Sequence, residues 1–267
     1  MSDAEIIVVP DPESLAAVGA ERVASLLSAA VGTRGRADLA TTGGATPIGI
    51  YRHLVASPLV DTVPWSDLHI WWGDDRYVPR DHPYSNVKPF DDIVLGIAGR
   101  EEGTAGGGSH GVPIPIENIH PFPTSEAIGE GRGPEWCAST LADELRAAPL
   151  ERVEGWPVFD LMLLGVGADA HILSVFPGST AFDSPELALA IPAPTHIAPP
   201  VQRVTLNPAV VGVARHVLVA AFGADKAPAI ARIHGPEDDP RRWPAQIARR
   251  HGATWIIDEA AAAELPR

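Results

Sequence analysis

The sequence has almost no cysteine, is poor in positive charge and lacks a long hydrophobic run. Cys137 is the single cysteine among 267 residues, which excludes an intramolecular disulfide and a cysteine-based zinc or redox site. Lysine and arginine number 20 against 34 aspartates and glutamates, and the resulting net charge of -14 argues against nucleic acid or an anionic membrane as a partner. An anionic substrate must therefore be met by a local cluster of cations.

The N-terminal stretch MSDAEIIVVPDPES has no basic leader, and acidic residues follow its short apolar run at once, unlike a secretory signal. No later segment approaches the ~18 uncharged apolar residues that a membrane span needs. We therefore expect a soluble, cytoplasmic protein with no membrane partner.

Strand-like apolar runs alternate with helix-like patterns along the chain. EIIVV at 5–9 indicates a first strand, and residues 13–31 carry apolar side chains at helical spacing. Further apolar runs indicate strands at 67–73, 158–167 and 216–222. This alternation predicts an α/β fold, with a mostly parallel, doubly wound sheet and helices on both faces.

We expect one domain over residues 1–267, interrupted by a segment rich in glycine and proline at 99–133. Within that segment GTAGGGSHG contains no side chain that could pack in a core. Because no strand leads into it and no helix directly follows, the pattern predicts a surface excursion, mobile at its centre, and not a phosphate-binding loop.

Ligands of parallel sheets bind at the carboxyl ends of the strands, and polar clusters follow several predicted strands. The first is TTGGATP, a turn in which Gly43 and Gly44 would let the backbone approach a ligand, and a helix follows Pro47. Free N–H groups at a helix start attract phosphate. The alternative is a turn that uses glycine only for its backbone conformation.

The second cluster, GDDRYVPRDHPYSN, places Asp74 and Arg76 at a strand end, with Ser85 and Asn86 downstream. Adjacent acids are costly unless an opposite charge or a hydrogen-bonding ligand compensates them, so the cluster could bind a polyol and a phosphate. Alternatively, Arg76 pairs with an acid and fixes the loop, while Ser85 and Asn86 cap a helix.

The third cluster, GVGADAHILSVFPG, follows the most apolar strand and contains Asp169 and His171. A neutral imidazole can take a proton from water, and a nearby carboxylate can orient the ring and stabilise the imidazolium. A histidine that merely caps a turn is the alternative. Arg203 in PVQRVTLNP and Lys226 in GADKAP each supply one cation, and Arg203 could be an ordinary surface residue. Lys226 stands at a predicted helix start, where its charge opposes the positive helix terminus, and an anion between the lysine and the helix start best explains it.

Metal ligation and serine catalysis find no support in the sequence, because it contains no H-x-x-x-H pair, no Cys/His grouping and no G-x-S-x-G elbow. No cofactor or metal is therefore expected.

Five motifs occur in order along the chain: TTGGATP, WWGDDRYVPRDHPYSN, FDLMLLGVGADAHILSVFPG, RVTLN and GADKA. As a set they resemble the 6-phosphogluconolactonase family, which hydrolyses the δ-lactone of 6-phosphogluconate in the pentose phosphate pathway, and the resemblance spans nearly the whole chain. It implies a fold similar to glucosamine-6-phosphate deaminase and a sugar-phosphate lactone as the small-molecule partner; a monomer is favoured.

The resemblance also implies roles for individual residues. His171 matches the base that activates water, and Asp169 matches its partner carboxylate. The residues that match the substrate-binding positions are Gly43, Gly44, Thr46, Asp74, Arg76, Ser85, Asn86, Arg203 and Lys226.

Four positions depart from the family pattern. Asp75 replaces a glutamate, Ala45 a serine, Ala170 a glycine and Ile172 a threonine. If the glycine position has positive φ, Ala170 costs roughly 1 kcal/mol or shifts the turn that carries the histidine.

Two other functions stay open at the level of sequence. A glucosamine-6-phosphate deaminase shares the D-x-H-I pattern around His171 but has D-E-Y where this chain has D-D-R. A sugar-phosphate sensor that binds without turnover is favoured only by the altered turn at Ala170. Release of ammonia would identify the deaminase, and tight binding without hydrolysis would identify the sensor.

Overall fold

A computed structural model describes residues 4–96 and 111–266 of the chain. In these ranges the strands are β1 Glu5–Val9, β2 Ala37–Thr41, β3 Leu68–Trp72, β4 Asp74–Arg76, β5 Ile119–His120, β6 Arg152–Val153, β7 Trp156–Pro157, β8 Leu161–Leu164, β9 Ala188–Ile191, β10 Arg203–Leu206, β11 His216–Ala221 and β12 Ala253–Asp258. The α-helices are α1 Pro12–Arg34, α2 Ala45–Leu54, α3 Lys88–Ile93, α4 Thr124–Gly129, α5 Pro134–Ala147, α6 Ala209–Val213 and α7 Ala227–Ile233.

The central sheet has seven strands in the order β1-β12-β11-β8-β2-β3-β5, and every neighbouring pair runs parallel. All four side chains of β8, the LMLL stretch, are buried, as expected of a strand covered on both faces. The predicted α/β fold with a mostly parallel sheet is confirmed.

The direction of chain progression reverses between β2 and β8. From β2 the chain moves through β3 to β5 at one edge, and from β8 it moves through β11 to β12 towards the other. Right-handed crossovers in opposite directions place their connections on opposite faces of the sheet. A crevice therefore opens beside the carboxyl ends of β2 and β8, where such folds bind ligands.

Helix α1 begins and ends at clear signals. The Asp11 side chain accepts a hydrogen bond from the Ser14 backbone N–H at 2.8 Å, and Gly35 ends the helix with φ +75°. Within the described chain α1, at 23 residues, is the helix whose length and hydropathy would allow it to cross a membrane. Its apolar positions, such as Leu15, Val23 and Leu27, are buried in the hydrophobic core of the fold.

A second, three-stranded antiparallel sheet, β4-β10-β9, follows directly from β3. The sequence predicted only a charged loop after β3, because the Asp74–Arg76 stretch has no apolar pattern. In the structure it pairs with β10, so that Arg76 lies opposite Arg203 and Asp74 lies opposite Thr205.

The prediction of a surface excursion at 99–133 is wrong for its second half. Ile119 and His120 form β5 and extend the central sheet beside β3, and α4 follows. Two buried apolar side chains, Ile119 and Phe122, anchor this part to the core. A two-residue strand gives too short a pattern to be recognised in a proline-rich sequence. The centre predicted to be mobile, GTAGGGSHG, lies outside the described residues except for its last glycine.

Candidate active site

A cavity of about 360 Å³ opens at the carboxyl ends of β2, β8 and β11, at the crevice that the topology predicts. Nine of the predicted site residues line it, namely Gly43, Gly44, Thr46, Asp74, Arg76, Asn86, His171, Arg203 and Lys226. The other two lie behind the wall, where Asp169 contacts His171 and Ser85 contacts Asp75.

The imidazole of His171 is held by the carboxylate of Asp169. Nδ1 of the ring lies 2.5 Å from Oδ1 of Asp169, and the backbone N–H of His171 donates to the same oxygen at 3.2 Å. Burial alone would raise the pKa of Asp169, but hydrogen bonds from His171 and His196 and the charge of His171 lower it below its usual range. An ionised Asp169 requires the proton of a neutral His171 to sit on Nδ1, which leaves the lone pair on Nε2.

The turn that carries this pair has a strained backbone. Ala170 is fully buried and adopts φ +66°, a left-handed conformation that costs a non-glycine residue about 1–2 kcal/mol. Its carbonyl accepts a hydrogen bond from the Ala245 backbone N–H at 2.9 Å. The alanine therefore keeps the conformation that a glycine would favour, and His171 still reaches Asp169.

His196 is a site residue that the sequence did not reveal. Its Nε2 lies 2.8 Å from the second carboxylate oxygen, Oδ2, of Asp169. The ring of Phe176 lies against both imidazoles, with centroids 4.9 Å from His171 and 5.6 Å from His196. His196 belongs to a proline-rich segment without a motif, so no sequence signal links it to an acid 27 residues earlier.

The TTGGATP turn delivers the start of α2 to the cavity. Gly44 adopts φ +99°, and no side chain caps the helix, so its first N–H groups stay available to a ligand. Gly43 is required for a different reason, because a Cβ there would lie 2.6 Å from the Asn86 Cα. The absence of a side chain at Gly43 therefore lets the turn pack directly against Asn86.

The two neighbouring acids of β4 play different parts. Asp74 lines the cavity and accepts hydrogen bonds from Ser174 Oγ at 2.6 Å and from Asn86 Nδ2 at 3.1 Å. Asp75 points into the core and accepts from the backbone N–H groups of Asn86 at 2.6 Å and Arg76 at 2.7 Å, and from Ser85 Oγ at 3.2 Å. Ser85 thus supports the site through Asp75.

Burial raises the pKa of Asp75 to about 7, although the backbone hydrogen bonds oppose the shift. The folded protein then holds a proton that the unfolded chain releases above about pH 4. We expect the free energy of unfolding to fall between about pH 4 and 7, with a contribution of up to about 1.4 kcal/mol per pH unit. Asp75→Asn removes this contribution, which urea denaturation at several pH values measures. Parallel pH curves for the variant and the wild type would contradict the assignment.

Two arginines face each other across β4 and β10 without acidic partners. Arg76 donates to the Tyr84 carbonyl at 2.7 Å and Arg203 to the Pro199 carbonyl at 3.0 Å, and the buried Nε of each has no partner. Burial and the charge of Arg76 lower the pKa of Arg203. In the described ranges neither guanidinium forms an ion pair, so the predicted alternative, Arg76 fixed by an acid, is not what the geometry shows. A bound anion would compensate both charges.

Lys226 adds a third cation to the cavity, 3.3 Å from the exposed carboxylate of Asp225. Within residues 4–96 and 111–266, no group of three or more His, Cys, Asp or Glu side chains is arranged to hold a metal ion. The cavity thus has a histidine on one wall, and three cations and the free backbone N–H groups at the start of α2 on the others.

Fold and cavity together define a class: α/β proteins with a cation-lined cavity at the switch point of a parallel sheet, beside a histidine held by a carboxylate. Residues 10–256 match the family model for glucosamine-6-phosphate isomerases and 6-phosphogluconolactonase. The chain therefore belongs to that family.

Two curated relatives match over nearly their full length. A 6-phosphogluconolactonase of Mycobacterium tuberculosis is 32% identical over 262 residues, 98% of this chain and 98% of the relative. One of Streptomyces coelicolor is 33% identical over 270 residues, 100% of this chain and 97% of the relative.

Solved structures share the fold. A 6-phosphogluconolactonase from Trypanosoma cruzi superposes with a TM-score of 0.81 at 27% identity, over 100% of this chain and 99% of that one. A monomeric glucosamine-6-phosphate deaminase, 16% identical, superposes with a TM-score of 0.74 over 97% of this chain and 99% of that one. At that identity the second likeness concerns the fold alone.

Proposed function

We propose that this chain hydrolyses 6-phospho-D-glucono-1,5-lactone to 6-phosphogluconate, the lactone step of the oxidative pentose phosphate pathway, with His171 as general base. One observation carries the proposal: the open Nε2 of a carboxylate-held imidazole shares a cavity with two arginines that have no acidic partner. The names of the curated relatives support the same activity.

The phosphate of the substrate would bind among Arg203, Lys226 and the uncapped start of α2, since each offers positive charge or N–H donors to the cavity. The lactone ring would then lie over His171, which lines the same cavity.

In the chemical step, Nε2 of His171 takes a proton from water as the water oxygen bonds to the lactone carbonyl carbon. Asp169 stabilises the imidazolium that forms, and backbone N–H groups or a cation meet the oxyanion. When the tetrahedral intermediate collapses, the bond between the carbonyl carbon and the ring oxygen breaks. His171 returns the proton to that oxygen, which leaves an open-chain acid.

The test is a pH-stat assay with freshly prepared 6-phosphoglucono-δ-lactone, measured against its spontaneous hydrolysis. We expect acid release well above background, weak activity on the unphosphorylated δ-lactone, and no ammonia from glucosamine 6-phosphate. Ammonia release would establish a deaminase instead. Tight binding of 6-phosphogluconate without acceleration of lactone hydrolysis would establish a sensor.

Arg203→Met is expected to raise KM for the phosphorylated lactone roughly 10- to 50-fold, because charge-assisted hydrogen bonds to an anion are lost. The free energy of unfolding should not fall, because the variant removes a buried charge that has no ion partner. Steady-state kinetics and urea denaturation measure the two effects. Arg146→Met is the control, since its exposed guanidinium pairs with Asp143 outside the cavity. An unchanged KM in Arg203→Met would remove Arg203 from the phosphate site.

A further inference from the structure

Asp169 is held from both sides by imidazoles. His171 occupies Oδ1 and His196 occupies Oδ2, at 2.5 and 2.8 Å. Because Asp169 is ionised, both ring nitrogens must carry the protons of these bonds. The ring and the backbone N–H of His171 both bond to Oδ1, so His196 is the described donor that holds Oδ2. Without it the carboxylate can swing about Oδ1 and loosen its bond to the His171 ring.

The segment that carries His196, residues 192–202 between β9 and β10, touches the site at two points. One is the bond from His196 to Asp169, and the other is the Pro199 carbonyl, which accepts from the guanidinium of Arg203. The His196 side chain is otherwise 48% exposed. An exposed side chain that reaches a carboxylate behind the cavity wall contributes little to the core, so its bond is better explained by the site than by folding.

The charged side chains that share the cavity with His171 are Asp74, Arg76, Arg203, Asp225 and Lys226. Within the described ranges, the hydrogen bond of the His171 ring goes to Asp169, and none of these five charged side chains forms a hydrogen bond with the ring. The tautomer and orientation of His171 therefore depend on how firmly Asp169 is held.

We propose that His196 is a positioning residue for His171, acting through Asp169, and that it keeps the His171 proton on Nδ1 and Nε2 directed into the cavity. The proposal rests on the proposed function for its catalytic consequence. Its structural part, the coupling of His196 to the ring of His171, holds independently of any activity.

The experiment compares His196→Ala with His196→Gln, whose side-chain amide can still donate to Asp169. For His196→Ala we expect a roughly five- to twentyfold fall in kcat with KM within about twofold of wild type, the loss expected when one hydrogen bond that orients a base is removed. His196→Gln should recover most of kcat. His53→Ala is the matched control, because His53 pairs with Glu13 at 3.0 Å outside the cavity.

Ring-nitrogen NMR of His171 provides a readout that does not need turnover. We expect wild type and His196→Gln to show one tautomer with the proton on Nδ1, and His196→Ala to show a mixture. Equal kcat and an unchanged His171 tautomer in a folded His196→Ala would overturn the proposal. If the wild type lacks lactonase activity, the proposed function fails, and the NMR comparison alone still decides whether His196 positions His171.

Discussion

Replacement of His171 by alanine should lower kcat for lactone hydrolysis by about a thousandfold, the range expected when a positioned general base is lost. The ring is held at Nδ1 by Asp169 and presents Nε2 to the cavity, and among the described residues no other imidazole lines that cavity. The measurement is the initial rate of acid release. The spontaneous rate must be subtracted from it, because the lactone also hydrolyses without the enzyme.

Binding provides the control for this variant. The cations and the start of α2 remain in His171→Ala, so its affinity for 6-phosphogluconate should stay within a few-fold of wild type, as titration calorimetry would show. Loss of both rate and affinity would indicate a collapsed site. Full turnover with intact affinity would show that another group activates the water, and the proposed mechanism would be wrong.

The parts of the fold that the sequence predicts are those whose information is local. β1, β3, β8 and β11 are predominantly apolar runs, and α1 carries its cap and its end within its own sequence. Strands of a parallel sheet end at a common edge, so the polar clusters after β2, β3, β8 and β11 could be expected to converge there. Residues of these four clusters line the cavity, whereas Arg203 reaches it from β10 of the second sheet.

The remaining parts depend on contacts between distant segments. The pairing of Asp74–Arg76 with β10 joins stretches more than a hundred residues apart, and only the register places Arg76 opposite Arg203. The burial of Asp75 cannot be read from a D-D-R triplet, since alternation in a strand decides which acid faces the core. His196 has no motif and reaches Asp169 only because β9 and β10 bring its segment there.

Gly167 offers a way to displace the base without changing its chemistry. A Cβ built on Gly167 would lie 2.0 Å from Nδ1 of His171 and 2.5 Å from Oδ1 of Asp169, inside the hydrogen bond that holds the ring. Gly167→Ala must therefore push the imidazole away from its carboxylate. Since a misplacement of about 1 Å can cost about a hundredfold, we expect kcat/KM for the lactone to fall by that order.

Gly165→Ala is the matched control, because it lies two residues earlier on the same cavity wall and a Cβ there meets nothing within 4 Å. Its kcat should stay within a few-fold of wild type, with any effect confined to KM. Equal kcat losses in the two variants would mean that bulk in the cavity, and not the placement of His171, limits the reaction. A loss in Gly167→Ala alone would tie the rate to the contact between the ring and Asp169, since both variants retain every titratable side chain of the site.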